Sequence, residues 1–105
     1  MTKPGRIPCV VLSCRRTAPA SKYPEGTIIC CGKCWRLSDK ALRVRWRTAR
    51  REREQLEAAA DPLDGGGFSF KSREAYFAHA DVLALEHAYW DQIIVQANEA
   101  RAGIG

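Results

Sequence analysis

Four cysteines in two close pairs limit what this chain can fold into more than any other feature. Cys9 and Cys14 are separated by four residues, Cys31 and Cys34 by two, and sixteen residues lie between the pairs. Tetrahedral zinc needs four converging ligands, and thiolates from two short-spaced pairs supply them with little strain. A sub-domain of roughly forty residues buries too little to fold unaided and usually takes a cross-link, a metal or a partner. Residues 1–20 carry an apolar patch of only Ile7, Val10, Val11 and Leu12, broken by Pro8 and Cys9, which does not read as a secretory signal. No run approaches the length that crosses a bilayer. The expectation is therefore a cytoplasmic protein in a reducing compartment, where paired cysteines hold metal more often than they form disulfides.

Cys9, Cys14, Cys31 and Cys34 are thus the expected ligands of one structural Zn2+. With four protein ligands no coordination position is left for water or substrate, so the site reads as structural and no catalytic residue is assigned. Cys31-Gly32-Lys33-Cys34 has the tight spacing, with a glycine that lets the backbone turn about the metal. Its place before a helix suggests the second half of a treble clef, whereas a zinc ribbon would set both pairs on β-knuckles. Cys30 is left over; it offers a Cys-x3-Cys alternative to Cys31, but the two-residue spacing makes the better knuckle. Four thiolates also hold iron–sulfur clusters, although nothing else in the sequence speaks of electron transfer. Lys33, Arg36, Arg15 and Arg16 lie close enough in sequence to offset the net −2 of a four-thiolate zinc centre.

The rest of the chain reads as mainly α. The fold class expected is a small zinc-stabilised α+β module followed by two long helices joined by a glycine hinge. The module covers residues 1–38, with residues 1–8 as an irregular tail, 15–27 as loop and Thr27–Cys30 as a β-prone run. A basic helix over 39–60 starts at Ser38 and stops at Asp61-Pro62. Leu42, Trp46, Ala49, Leu56 and Ala60 make its apolar stripe, with the stem of Arg53 filling a gap. Gly65-Gly66-Gly67 mark a hinge over 61–71, flanked by Phe68 and Phe70. Ser72 or Ser69 caps a second helix over 72–102. This helix carries one stripe of Tyr76, Ala80, Leu83, His87, Trp90, Ile94 and Ala97, and a second of Val82, Leu85, Tyr89 and Ile93. His87 falls within a stripe and is expected to be packed, and His79 to be exposed.

Charge divides the chain. Residues 1–60 hold fourteen Lys or Arg against five acids, a net of +9, while residues 61–105 hold three against seven, a net of −4. The N-terminal part attracts polyanions. Lys40, Arg43, Arg47, Arg50 and Arg51 on the first helix present forked donors matched to phosphate oxygens, with Arg15, Arg16, Lys33 and Arg36 extending the footprint. Trp46 reads as core, and Trp35 as packing over the module. The second helix offers Leu85, Tyr89 and Ile93 to a host protein or to another copy of the chain. No membrane and no small-molecule substrate are indicated. The sequence lacks His-Glu-x-x-His, a phosphate-binding glycine loop and a nucleophile elbow, so an enzyme is not expected.

Cys9, Cys14, Cys31-Gly32-Lys33-Cys34 and the following Trp35-Arg36-Leu37 resemble the small zinc-finger proteins carried by bacteriophages and prophages. The resemblance spans about residues 7–53 and implies a zinc-stabilised module acting in gene regulation or against a host machine, within the bacterial cytoplasm. Treble-clef relatives include HNH nucleases, but the histidines and acids those sites need are absent around these cysteines. Two functions follow: a nucleic-acid-binding regulator working through the arginine-rich helix, and an adaptor or inhibitor docking through the second helix.

Overall fold

The computed structural model describes residues 5–103. It is a small α+β module bearing the cysteines, followed by two long helices. The chain divides into two compact units: Met1–Lys40 with Gln92–Gly105, and Ala41–Asp91.

In the cysteine unit, β1 (Arg6–Pro8) pairs antiparallel with β2 (Thr17–Pro19), in the register Arg6↔Pro19, Ile7↔Ala18 and Pro8↔Thr17. These strands fall where the sequence reads as tail and loop. Three-residue strands with a proline in each leave little periodicity to detect. Both strands are sheet edges, where a missing N–H is tolerated. Arg6 clasps the hairpin by donating from Nε to Thr17 Oγ1 at 3.0 Å and from Nη2 to the Thr17 carbonyl at 3.2 Å. The Thr27–Cys30 run forms no strand but contributes a parallel bridge, Cys9↔Ile29, closed by the Val10 amide on the Ile29 carbonyl at 2.8 Å. One helical turn, α1 (Gly32–Trp35), follows. Ser38 is buried and its hydroxyl donates to the Trp35 carbonyl at 2.7 Å, closing the turn after α1.

The end of the last helix belongs to this unit as well. Asn98 Oδ1 accepts the Leu12 amide at 3.0 Å and Gln96 Oε1 accepts the Asp39 amide at 2.7 Å. Arg101 Nη2 donates to the Ser13 carbonyl at 3.2 Å. Ala97 is fully buried in one cluster with Cys9, Val11 and Cys34, against which Cys14, Cys30 and Cys31 pack. The small side chain lets the helix come close to the cysteine loop.

The second unit holds most of α2 (Lys40–Ala58) and the first two-thirds of α3 (Arg73–Arg101). Leu42, Ala49, Ala60 and Val82 are buried, and Trp46 meets Trp90 with ring centroids 6.0 Å apart. The glycine segment between the helices is a closed hairpin: β3 (Asp61–Pro62) pairs with β4 (Phe68–Ser69), and the Leu63 amide donates to the Gly67 carbonyl at 3.1 Å. Gly65, Gly66 and Gly67 have φ of 84°, 104° and 87°, a run of left-handed conformations that only glycine adopts cheaply. Ser72 caps α3, its Oγ accepting the Ala75 amide at 3.1 Å.

Candidate metal centre and basic helix

The first cysteine pair sits on the hairpin and the second at the start of α1. Cys9 follows the last residue of β1, and its amide extends the ladder to the Arg16 carbonyl at 2.9 Å. Cys14 closes a turn, its amide donating to the Val11 carbonyl at 3.0 Å. Cys31 precedes the first residue of α1 in an extended conformation and Cys34 lies within the turn. The bridge at Ile29 draws the second pair alongside the first.

The four Sγ atoms lie within 4.8 Å of one another. Cys14 and Cys31 approach to 3.7 Å, and all five cysteines are free thiols. Sulfurs placed tetrahedrally at the usual Zn–S bond length of about 2.3 Å stand roughly 3.8 Å apart, so the donor set and its spacing fit a four-thiolate metal site. The Cys31 amide donates to Cys9 Sγ at 3.4 Å, an N–H that favours charge on sulfur. Burial raises the Cys31 thiol, but the Cys34 backbone and the thiols of Cys34, Cys14 and Cys9 favour the thiolate and bring it down to about 7. Cys34 is raised, by burial first and then by its sulfur neighbours.

Cys31, not Cys30, completes the quartet. Cys30 Sγ is turned to the Cys31 carbonyl at 3.6 Å, and burial, reinforced by Cys9, pushes its thiol up to about 12. It is a neutral packing residue beside the site.

Arg15, Arg16, Lys33 and Arg36 are exposed around the cysteine unit. The Arg36 side chain folds back over α1, so that a Cβ on Gly32 would meet its Nη1 at 3.4 Å. On α2, Lys40, Arg43, Arg47, Arg50 and Arg51 recur at i, i+3, i+7, i+10 and i+11 and so share one side of the helix, away from buried Leu42 and Ala49. All but Arg43 are exposed; Arg43 is half-buried, with a buried Nε that has no hydrogen-bond partner among the described residues. Glu54 is the one acid in the stripe, paired with Arg50 Nε at 3.0 Å. Arg50 also lies over the Trp46 ring, 5.2 Å from its centroid.

Arg53 stands apart from that stripe. Its guanidinium makes a two-pronged pair with Glu86, through Nε to Oε2 and through Nη2 to Oε1 at 3.2 Å. Nη1 reaches Glu57 at 3.0 Å, and Glu57 in turn meets His79 Nε2 at 2.8 Å. The Glu86 side chain is only 11 % exposed. Burial alone would raise the Glu57 carboxyl, yet His79 and then Arg53 hold it below the usual carboxylate range.

This network corrects two sequence expectations. His79 is the packed histidine, hydrogen-bonded to Glu57 and with its ring 4.7 Å from that of Phe70, whereas His87 is exposed. Glu86, unnoticed in the sequence, lies on the buried stripe of α3. The docking face expected on α3 is also corrected. Ile93 is fully buried and belongs to the interior, Tyr89 is half-buried, and Leu85 alone of the three is exposed. Among the large apolar side chains that α3 and the hairpin leave open, Phe68, Tyr76 and Phe77 are aromatic, and Leu63, Leu85 and Val95 are aliphatic.

No helix among the described residues is long and apolar enough to cross a membrane. No family model matches the chain, and neither does any curated protein or solved structure.

Proposed function

We propose that the chain is a zinc-stabilised, non-catalytic nucleic-acid-binding regulator that sets the basic side of α2 against a phosphate backbone. The observation that carries the reading is the separation of α2's charges. Arg53 is absorbed by Glu86 and Glu57, while Lys40, Arg43, Arg47, Arg50 and Arg51 share a stripe that holds a single acid. Helix cations aligned without matching anions attract a polyanion and release its counterions on contact. The cysteine quartet, read as one structural Zn2+ in a treble-clef arrangement, fixes the module from which α2 emerges. Arg15, Arg16, Lys33 and Arg36 add positive charge to that module. A thiolate site persists in a reducing compartment, and a phage regulator at work in the host cytoplasm suits both features.

The test is a titration of the zinc-loaded protein with short duplex DNA and with single-stranded RNA across a range of salt. Binding that falls log-linearly with salt, at a slope equivalent to about four to six phosphate contacts, is the expected result. Absence of binding at low salt rejects the reading.

A second reading, an adaptor or inhibitor of a host protein, is favoured by the aromatic group on the hairpin and α3. Phe68, Tyr76 and Phe77 are 37 %, 57 % and 56 % exposed, and the Tyr76 and Phe77 rings meet edge-on at 5.4 Å. Exposed aromatics in one place are what a docked partner buries. Under this reading Tyr76→Ser with Phe77→Ser abolishes capture of that partner and leaves nucleic-acid binding unchanged.

A further inference from the structure

Beside the basic stripe, α2 carries an open depression of about 320 Å3 lined by Trp46, Arg47, Arg50, Arg51 and Glu54. Only one of its five lining residues is aromatic, and that one is the indole of a half-buried tryptophan. The sequence favours core over a base-stacking platform for Trp46. It does pack against Trp90, but it also borders the depression, where the Arg50 guanidinium already lies over its ring. The wall is an aromatic ring, the rim is three arginines, and the single acid is already paired with one of them.

We infer that Trp46 and Arg50 form a stacking subsite for one unpaired nucleobase, with Arg47 and Arg51 on the flanking phosphates, so that the protein prefers single strands to duplexes. The inference rests on the nucleic-acid reading above and narrows its substrate class. Stacking needs a free base face, which a duplex does not present, and every base has one. A planar guanidinium over an indole marks a place where a flat, polarisable group is accepted; a base stacks either on the Arg50 plane or on the ring after Arg50 swings away. What Arg50 gives up is an exposed ion pair with Glu54, which is a weak tie. Neither stacking nor phosphate contact reads the 2′-hydroxyl, so recognition by this subsite is indifferent to the sugar.

The test compares three probes of equal length at one low salt concentration: oligodeoxythymidylate, the same strand with its central nucleotides abasic, and a duplex. Loss of the central bases should weaken binding roughly tenfold, with phosphate number unchanged. The duplex should bind more weakly than the intact strand. In Trp46→Leu the ratio between intact and abasic strands should fall to about one, while Trp46→Phe, which keeps a ring, should retain most of it. Urea midpoints of Trp46→Leu and Trp46→Phe, measured alongside, separate loss of the ring from loss of the fold. Equal binding of intact and abasic strands by the wild-type chain overturns the subsite and leaves the phosphate reading standing. So does a tenfold ratio that survives in Trp46→Leu. Failure of all three probes to bind overturns the phosphate reading itself.

Discussion

The two units of this chain are held by different means. In Met1–Lys40 with Gln92–Gly105, the interior cluster of Cys9, Val11, Cys34 and Ala97 is half sulfur, and strands of three residues add little. In Ala41–Asp91, Leu42, Ala49 and Val82 are buried, two tryptophans meet, and Arg53 is locked between Glu86 and Glu57. On the reading proposed above, bound metal adds to the first unit what its small strands and sulfur-rich cluster do not supply, whereas the second holds a tryptophan pair and a buried ion pair. Metal dependence should therefore stop at the boundary between them.

Cys34→Ala should break the comparison most severely. It removes a fully buried thiol from the quartet, and structural zinc contributes about 10 kcal/mol or more to modules of this kind. Hydrogen exchange should lose protection over residues 5–40, with residues 41–91 changing much less.

Arg53→Met strikes the other unit. It leaves Glu86 buried without its partner at a cost of about 2–4 kcal/mol, read from the urea midpoint, with zinc content unchanged. Ala97→Leu tests whether the end of α3 is part of the cysteine unit. Overpacking a fully buried alanine should cost about 1–3 kcal/mol and weaken zinc retention against a chelator.

Glu57→Gln gives a pH signature. The folded carboxyl titrates below its unfolded value, so its contribution is complete above the ordinary carboxylate range and is lost as pH falls through the folded value. The difference in urea midpoint between wild type and Glu57→Gln, clear at pH 7, should shrink as pH drops below about 4. The smallest effect belongs to Cys30→Ser. A neutral thiol outside the quartet should be replaceable without changing metal stoichiometry, at about 1 kcal/mol for burying a hydroxyl.

How much of this was legible in the sequence follows from the range of each signal. The quartet was legible because ligand spacing is a local constraint that metal geometry imposes directly. The basic stripe was legible because α2 keeps helical period from Lys40 onward, so residue numbers fix sides. The hairpins were not. β1 and β2 hold by a few ladder bonds and an Arg6 clasp, and the glycines that seemed to free the chain instead let it turn back on itself. The histidines were exchanged because apolar neighbours in sequence do not say which residue a distant carboxylate will meet.

One signal was present and unused. Arg53 occupies an apolar position on α2, and Glu86 stands four residues after Val82 and seven before Ile93, on the buried side of α3. Opposite charges at buried positions of two helices ask for each other, since neither is tolerated alone. Ile93 was misread for a related reason: the buried line along α3 runs through Val82, Glu86, Ile93 and Ala97, taking members of both apolar stripes, while Tyr76, Leu85 and His87 stay exposed.

The central claim is that four named cysteines hold one zinc. Its most direct test is native mass spectrometry of the protein purified without chelator. The account predicts one zinc per chain, lost in Cys9→Ser, Cys14→Ser, Cys31→Ser and Cys34→Ser and kept in Cys30→Ser. A metal-free chain that is nonetheless folded over residues 5–40 would contradict it.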